Sequence, residues 1–330
     1  MISATAAGGN EGRGWTSIRR VFGGQETILL LCLIALFVIV GLINPRYVAE
    51  RNLSSIFLGN AYIAVAAIGM SMVIISGNID ISVGSLIGVL ATISGSLAVS
   101  GYPIIICWLV PLIIGALVTA VMGYLVAYLR IPSIVVSLGM LSILKGGLIV
   151  VTAGAWITDL PEGYGLAQMR PFGIPMPIYF MVFLTIGAAL WMRYSVAGRS
   201  IYAVGGNAEA ARLSGISSKR TVMMVFIIHG VFVGIASVLF ATQLSVIQST
   251  VPPNLELTII TASVVGGVSI LGGVGTVIGS TLAAILLAAI GSSLIFINMS
   301  PSWLRAVQGV LILLTVLADL WRRRSQMSRH

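Results

Sequence analysis

Apolar positions along this chain fall in long unbroken blocks rather than at the spacing of a surface helix. Apolar runs cover residues 27–43, 56–75, 83–100, 103–129, 133–152, 176–192, 221–247, 257–271, 276–297 and 303–320. Each lies near the ~20 residues that a helix needs to cross a bilayer. The pattern predicts an all-α polytopic membrane protein with about ten transmembrane helices. Runs 83–100 and 257–271 are the least span-like, being short and broken by glycine. The first run could pass for the core of a signal peptide. It begins late, however, and no small-x-small site follows before Asn44-Pro45-Arg46, so it is expected to be a retained span.

Composition agrees with the pattern. Of 330 residues, 58% are hydrophobic and 8% are charged, against roughly 25% charged in an ordinary soluble domain. So few charges cannot cover so much apolar surface in water, which excludes a soluble globular enzyme and a disordered chain. The net charge of +9 would suggest nucleic acid in a soluble chain. Here basic loops held on one side of a membrane account for it better, and no nucleic-acid partner is expected. With the N-terminus cytoplasmic, the inside segments carry thirteen Lys and Arg and the outside loops four, with Lys145 left inside a span. That asymmetry predicts cytoplasmic N- and C-termini in a membrane, surrounded by lipid. The expected divisions are a tail over 1–26, a transmembrane domain over 27–320 containing the loop 193–220, and a basic tail over 321–330. Cys32 and Cys107 lie in apolar runs and are expected to be packed small hydrophobes.

Two halves of five spans can be laid over each other. Gly84-Ser85-Leu86-Ile87-Gly88 opens the third span and Gly275-Thr276-Val277-Ile278-Gly279 the ninth, each after a glycine-broken turn. Five is odd, so such halves would be inverted, as in transporters whose paired broken helices line the pathway.

The segment Ser76–Ser85 is the richest in candidate chemistry. Asp80 is its only acid, and Asn78, Ser82 and Ser85 can satisfy backbone groups freed by a broken helix. Asp80 either caps the next helix or lines a solute route, and the two are compatible. Lys145, mid-span beside Gly146-Gly147, needs a polar cavity or a partner. Gln243 joins these as a candidate pathway residue; Asn60 and Gln308 are expected mainly to bond between helices. His229 reads as a satisfied core histidine, since no intramembrane acid stands near it in sequence.

Several chemistries are missing from the sequence. There is no phosphate-binding loop, no H-E-x-x-H and no paired intramembrane carboxylate. An embedded enzyme therefore lacks visible parts, and an ion-coupled secondary transporter of a small polar solute, the alternative carried here, would show acids on several spans. A transport subunit driven by another subunit fits better. Loop 193–220 supplies a contact for one. Asn207 is a good helix N-cap, Glu209 sits in the first turn, Ala208 to Leu213 favour helix and Gly215 stops it. A helix of about two turns on the cytoplasmic face follows.

These residues resemble a known family. Glu209-Ala210-Ala211 with Gly215-Ile216 is similar to the coupling loop of ABC-importer permeases. Asn78-Ile79-Asp80-Ile81-Ser82-Val83-Gly84-Ser85 resembles the signature of the ribose/xylose-type sugar permeases, and 266–276 resembles their late glycine motif. Leu129-Arg130-Ile131-Pro132-Ser133 also fits, and Ala155–Pro161 looks most like the autoinducer-2 and rhamnose permeases. The resemblance implies a permease of the bacterial inner (plasma) membrane that carries a monosaccharide-like solute by alternating access. It implies a second permease subunit, identical or homologous, and a periplasmic sugar-binding protein. A separate ABC ATP-binding subunit would bind ATP and Mg, leaving this chain without a cofactor or a catalytic residue. Asn207, Glu209, Ala210, Ala211, Gly215 and Ile216 would form the coupling contact. Asn78, Asp80, Ser82, Ser85, Lys145 and Gln243 would line the route.

Overall fold

The computed structural model describes residues 24–327. Residues 1–23 of the expected N-terminal tail and 328–330 of the basic tail lie outside the described residues. The helices are α1 (Gln25–Ile43), α2 (Glu50–Ile75), α3 (Val83–Val99), α4 (Ile104–Ala127), α5 (Ser133–Thr152), α6 (Met176–Tyr194), α7 (Val196–Gly206), α8 (Ala208–Leu213), α9 (Ser218–Ala241), α10 (Leu255–Val265), α11 (Val277–Phe296) and α12 (Trp303–Met327). The only strands among the described residues are β1 (Trp156–Ile157) and β2 (Ile247–Gln248), paired antiparallel.

Eight helices are long and apolar enough to cross a membrane. They match eight of the ten expected spans. The other two, α3 and α10, are the glycine-broken pair, at 17 and 11 residues. At about 1.5 Å per residue α10 cannot span alone. The expected span 257–271 is corrected accordingly: helix stops at Val265, where Gly266 and Gly267 follow, and the chain runs on as turns to Thr276.

Proline and polar side chains set the boundaries. Pro132 and Pro175 stand just before α5 and α6, where a missing amide costs nothing. Pro111, inside α4, cannot donate back to Cys107. The Ser94 hydroxyl donates to that freed Cys107 carbonyl at 2.7 Å and accepts from the Tyr164 hydroxyl at 2.8 Å. The loop between α5 and α6 is thereby fastened over α3, and the β1–β2 ribbon ties it to the loop after α9.

Helices α2, α9 and α11 form the inner layer, while α5 and α12 bury little of their surface. Lipid-like surroundings give helices no hydrophobic reason to associate, so close approach and short hydrogen bonds must hold them. Ser71 of α2 donates to Ser280 of α11 at 2.7 Å, and Thr185 of α6 meets Thr281 of α11 at 2.9 Å. Gly115 of α4 and Gly230 of α9 face each other so closely that a Cβ on either would strike the other's helix.

Corresponding helices of the two halves, α2 and α9, run antiparallel: Gly69 packs on His229, while Gln243 bonds to Leu58. The short helices α3 and α10 are third in each set of five. The glycine match proposed from sequence does not mark this correspondence. Segments 76–82 and 266–276 touch each other at one end of the bundle, whereas inverted positions belong at opposite ends. That end, which also holds loop 193–220, is called the basic end below.

Replacing Gly230 with Ala should destabilise the fold by about 1–3 kcal/mol, because the added methyl has no room. Gly139→Ala, on an open face of α5, should leave stability unchanged or slightly raised. Thermal unfolding of the purified protein in detergent measures both.

Candidate functional site

The basic loop folds as two short helices. Ser195 caps α7, accepting from Gly198 N at 2.8 Å. Asn207 ends α7 and caps α8, its side-chain oxygen accepting from Glu209 N and Ala210 N at 3.1 and 3.0 Å. Arg212 Nε donates to Glu209 Oε2 at 3.0 Å, one turn on, and holds that carboxyl below the usual carboxylate range. Gly215, at φ +83°, closes α8: its amide donates to Arg212 O, and Ile216 N donates to Ala211 O at 2.9 Å. This pairing satisfies the last carbonyls of the helix. The expected cap, helix and stop are all present, and α7 is an addition the sequence reading did not contain. Asn207, Glu209, Ala210 and Gly215 are exposed and Ala211 is buried beneath them. Leu213 projects from the same turn, 76% exposed.

The end of α7 reaches the two broken segments. Gly205 packs directly on the Ile75 carbonyl and on Gly273, where a Cβ would collide with backbone. That Ile75 carbonyl accepts from Gly273 N at 2.8 Å. The Tyr202 hydroxyl donates to Gly275 O at 3.0 Å. The two broken segments and the end of helix α7 thus meet at the basic end. A Gly205-Gly206 doublet immediately before the Asn207 cap was the signal available in the sequence for this contact.

From there segment 76–82 turns inward. Ile79 N donates to Ser133 Oγ at 3.2 Å, fastening it to the start of α5. Asn78, half-buried, donates to Ser76 Oγ at 3.1 Å. Asp80 and Ser82 are fully enclosed. Asp80 Oδ1 accepts from Ser82 N at 2.7 Å and from Ser82 Oγ at 2.6 Å, so the carboxylate braces the turn that starts α3. Its other oxygen, Oδ2, meets His229 Nε2 of α9 at 3.1 Å. Both side chains of this pair are 0% exposed. His229 is thus a satisfied core histidine, as expected, and the acid that satisfies it comes from 149 positions away in sequence. Ser85, also enclosed, has no hydrogen-bond partner for its hydroxyl.

The remaining candidates are not gathered here. Lys145 stands on the exposed face of α5. Gln243 lies at the far end of α9, where its amide donates to Leu58 O at 3.0 Å. Near that far end a cavity of about 400 Å³ opens between α2, α10, α11 and α12. Its polar lining is uncharged and includes Asn52, Asn60, Thr258, Ser292 and Gln308. Gln308 donates to Thr258 Oγ1 at 3.2 Å, and Ser292 to Asn52 Oδ1 at 3.0 Å. Asn60 and Gln308 were visible in sequence as polar residues in spans; their convergence was not. No cluster of three or more His, Cys, Asp or Glu fit for a metal exists among the described residues.

Comparison with known proteins agrees with this arrangement. Residues 52–316 match the family described as branched-chain amino acid transport system / permease component. The autoinducer 2 import system permease protein LsrC of Enterobacter sp. (strain 638) is 35% identical over 314 residues, covering 95% of this chain and 91% of that protein. The protein of the same name from Salmonella typhi is 34% identical, covering 95% and 90%. That from Yersinia pseudotuberculosis serotype O:3 (strain YPIII) is 33% identical, covering 95% and 89%. No solved structure matches. With its multi-pass helical bundle and this match across most of its length, the chain belongs to the permease-component family of ABC importers.

Proposed function

We propose that this chain is the membrane subunit of an ATP-driven importer for a sugar-like solute of the autoinducer-2, ribose, xylose or rhamnose class. The relatives' names, which specify autoinducer 2 import, support that range. The carrying observation is α8. It is a capped, exposed helix too short to be stable alone, held at the basic end between Gly206 and α9. Such an element is built to be gripped by a partner. A separate ABC ATP-binding subunit takes α8 into a groove, with Leu213 as the apolar contact and the Glu209–Arg212 pair as the charged rim. ATP and Mg bind to that subunit.

The basic end faces the cytoplasm, in keeping with the excess of Lys and Arg there. The uncharged cavity near the far end then faces outward, toward a periplasmic binding protein that delivers the solute. Neutral amides and hydroxyls suit a polyol, which offers many hydrogen bonds and no charge. Exposed Lys145, which lipid would not tolerate, supports a position of α5 against a second permease subunit or a water-filled path between two copies. Asn78, Asp80, Ser82 and Ser85 join the route when the basic end opens, and Gln243 borders it at the opposite end.

An ion-coupled carrier is the second reading, and the buried Asp80–His229 pair is the feature that favours it. Vesicles holding this chain alone would then accumulate solute from an ion gradient. Under the importer reading they accumulate nothing without the ATP-binding subunit.

Glu209→Lys and Gly215→Asp should insert normally yet lower ATP-driven uptake on the order of tenfold or more, the range of a coupling free energy of a few kcal/mol. Autoinducer-2 uptake and ATP hydrolysis in proteoliposomes of the whole complex measure this; unchanged uptake would show that α8 is not the coupling contact. Gln308→Leu should slow maximal uptake about tenfold, as for one lost hydrogen bond of roughly 1.4 kcal/mol. The amount of ATP-binding subunit recovered with the chain should not change.

A further inference from the structure

The Asp80–His229 pair stands apart from the polar cavity and from α8, yet it is the most deeply enclosed ionisable group in the fold. An acid in such a place has a cost, so its surroundings must give a return. The carboxylate has three hydrogen bonds, two from Ser82 and one from the imidazole. Ser82 belongs to the same turn as Asp80, so two of the three are local. Of the three, only the bond from His229 comes from another helix; the segment's other side-chain tie, from Ile79 N to Ser133 Oγ, goes to the start of α5. The Nδ1 of His229, packed against Gly69 of α2, has no partner.

The position of this one bond matters. Helix α9 begins five residues after α8 ends, with Ser217 as its cap. On the other flank α8 begins two residues after Gly206, and Gly205 packs on Ile75 O, at the entrance of the same broken segment. Segment 76–82 is therefore held at both ends by the two elements that flank α8. Gly205 and Gly273 hold its start at Ile75, and His229 holds its inner turn at Asp80.

We propose that Asp80 and His229 are positioning residues that clamp segment 76–82 to α9, so that a displacement of α8 moves this segment as a unit. The clamp rests on the coupling role of α8 stated above. It makes 76–82 the moving part at the basic end, and Asp80 the handle that holds that part until the route opens. A helix shift of one or two ångströms is the ordinary size of such a movement.

A thiol-labelling experiment on the complete complex tests it without reference to any solute. Cys32 and Cys107 are first replaced by Ala. A single cysteine is then placed at half-buried Asn78, and in a separate chain at exposed Leu213. N-ethylmaleimide labelling is followed in the complex with its ATP-binding subunit, with and without ATP and vanadate. Docking should protect Leu213→Cys, and trapping should change the labelling rate of Asn78→Cys on the order of tenfold. His229→Phe strands the carboxylate and should abolish the response at position 78 while leaving protection at 213 intact. The double variant Asp80→Asn with His229→Phe removes the stranded charge as well and should also lose the response. It keeps the test valid if His229→Phe does not fold. His229→Gln, which can still donate to Asp80, should keep most of the response. The clamp is overturned if position 78 still responds in the double variant. It is equally overturned if His229→Gln loses the response as fully as His229→Phe. Leu213→Cys left unprotected by the ATP-binding subunit would instead overturn the coupling role of α8 itself.

Discussion

Within a bilayer, backbone that leaves helical geometry must find its hydrogen bonds in the protein. This requirement shapes the basic end of the molecule. Segments 76–82 and 266–276 both break their helices, and neither could stay dry and unpaired. They are joined by one backbone bond, from Gly273 to Ile75, with Gly205 packed against it. Only residues without a side chain allow backbone to approach so closely. The same rule explains Ser94, whose hydroxyl takes the Cys107 carbonyl that Pro111 cannot serve, and Asp80, whose two oxygens settle the turn before α3.

The parts of this design that depend on neighbours in sequence were legible beforehand. Eight long apolar runs became eight long helices, because one run of ~20 residues carries its own evidence. The α8 cap, helix and stop were legible because Asn207, Glu209 and Gly215 act within nine consecutive residues. Long-range pairing was not legible. The six helices α3 to α8 lie between Asp80 and the helix that carries His229, and nothing in either local sequence announces the other. The glycine match between 76–85 and 266–276 pointed to real partners for the wrong reason. Glycine-rich breaks resemble one another in sequence. These two pack together at one end of the bundle, while the short helices α3 and α10, third in each set of five, differ even in length.

Scarcity of charge inside the spans, read from the sequence, argued against ion coupling, and the fold refines that argument. One acid and one histidine do meet in the interior, yet the pair faces no cavity and has no exposed surface. A proton relay needs a path to water on each side. A fully enclosed pair bonded to a turn has mechanical value instead, since breaking it strands a charge, while keeping it fixes the turn in one place.

The exposed faces carry the argument one step further. Helices α5 and α12 bury little, and α5 presents Lys145 beside Gly146 and Gly147, with open space at both glycines. A lipid-facing helix gains nothing from a lysine and bare glycines; a helix that approaches another chain or borders water gains from both. On the importer reading the solute route therefore lies partly outside this chain, between two permease copies. That reading also separates the two kinds of polar residue in the spans. Those on outer faces and around the far cavity serve the solute, while those sealed inside, Asp80 and His229 first among them, hold the parts that move.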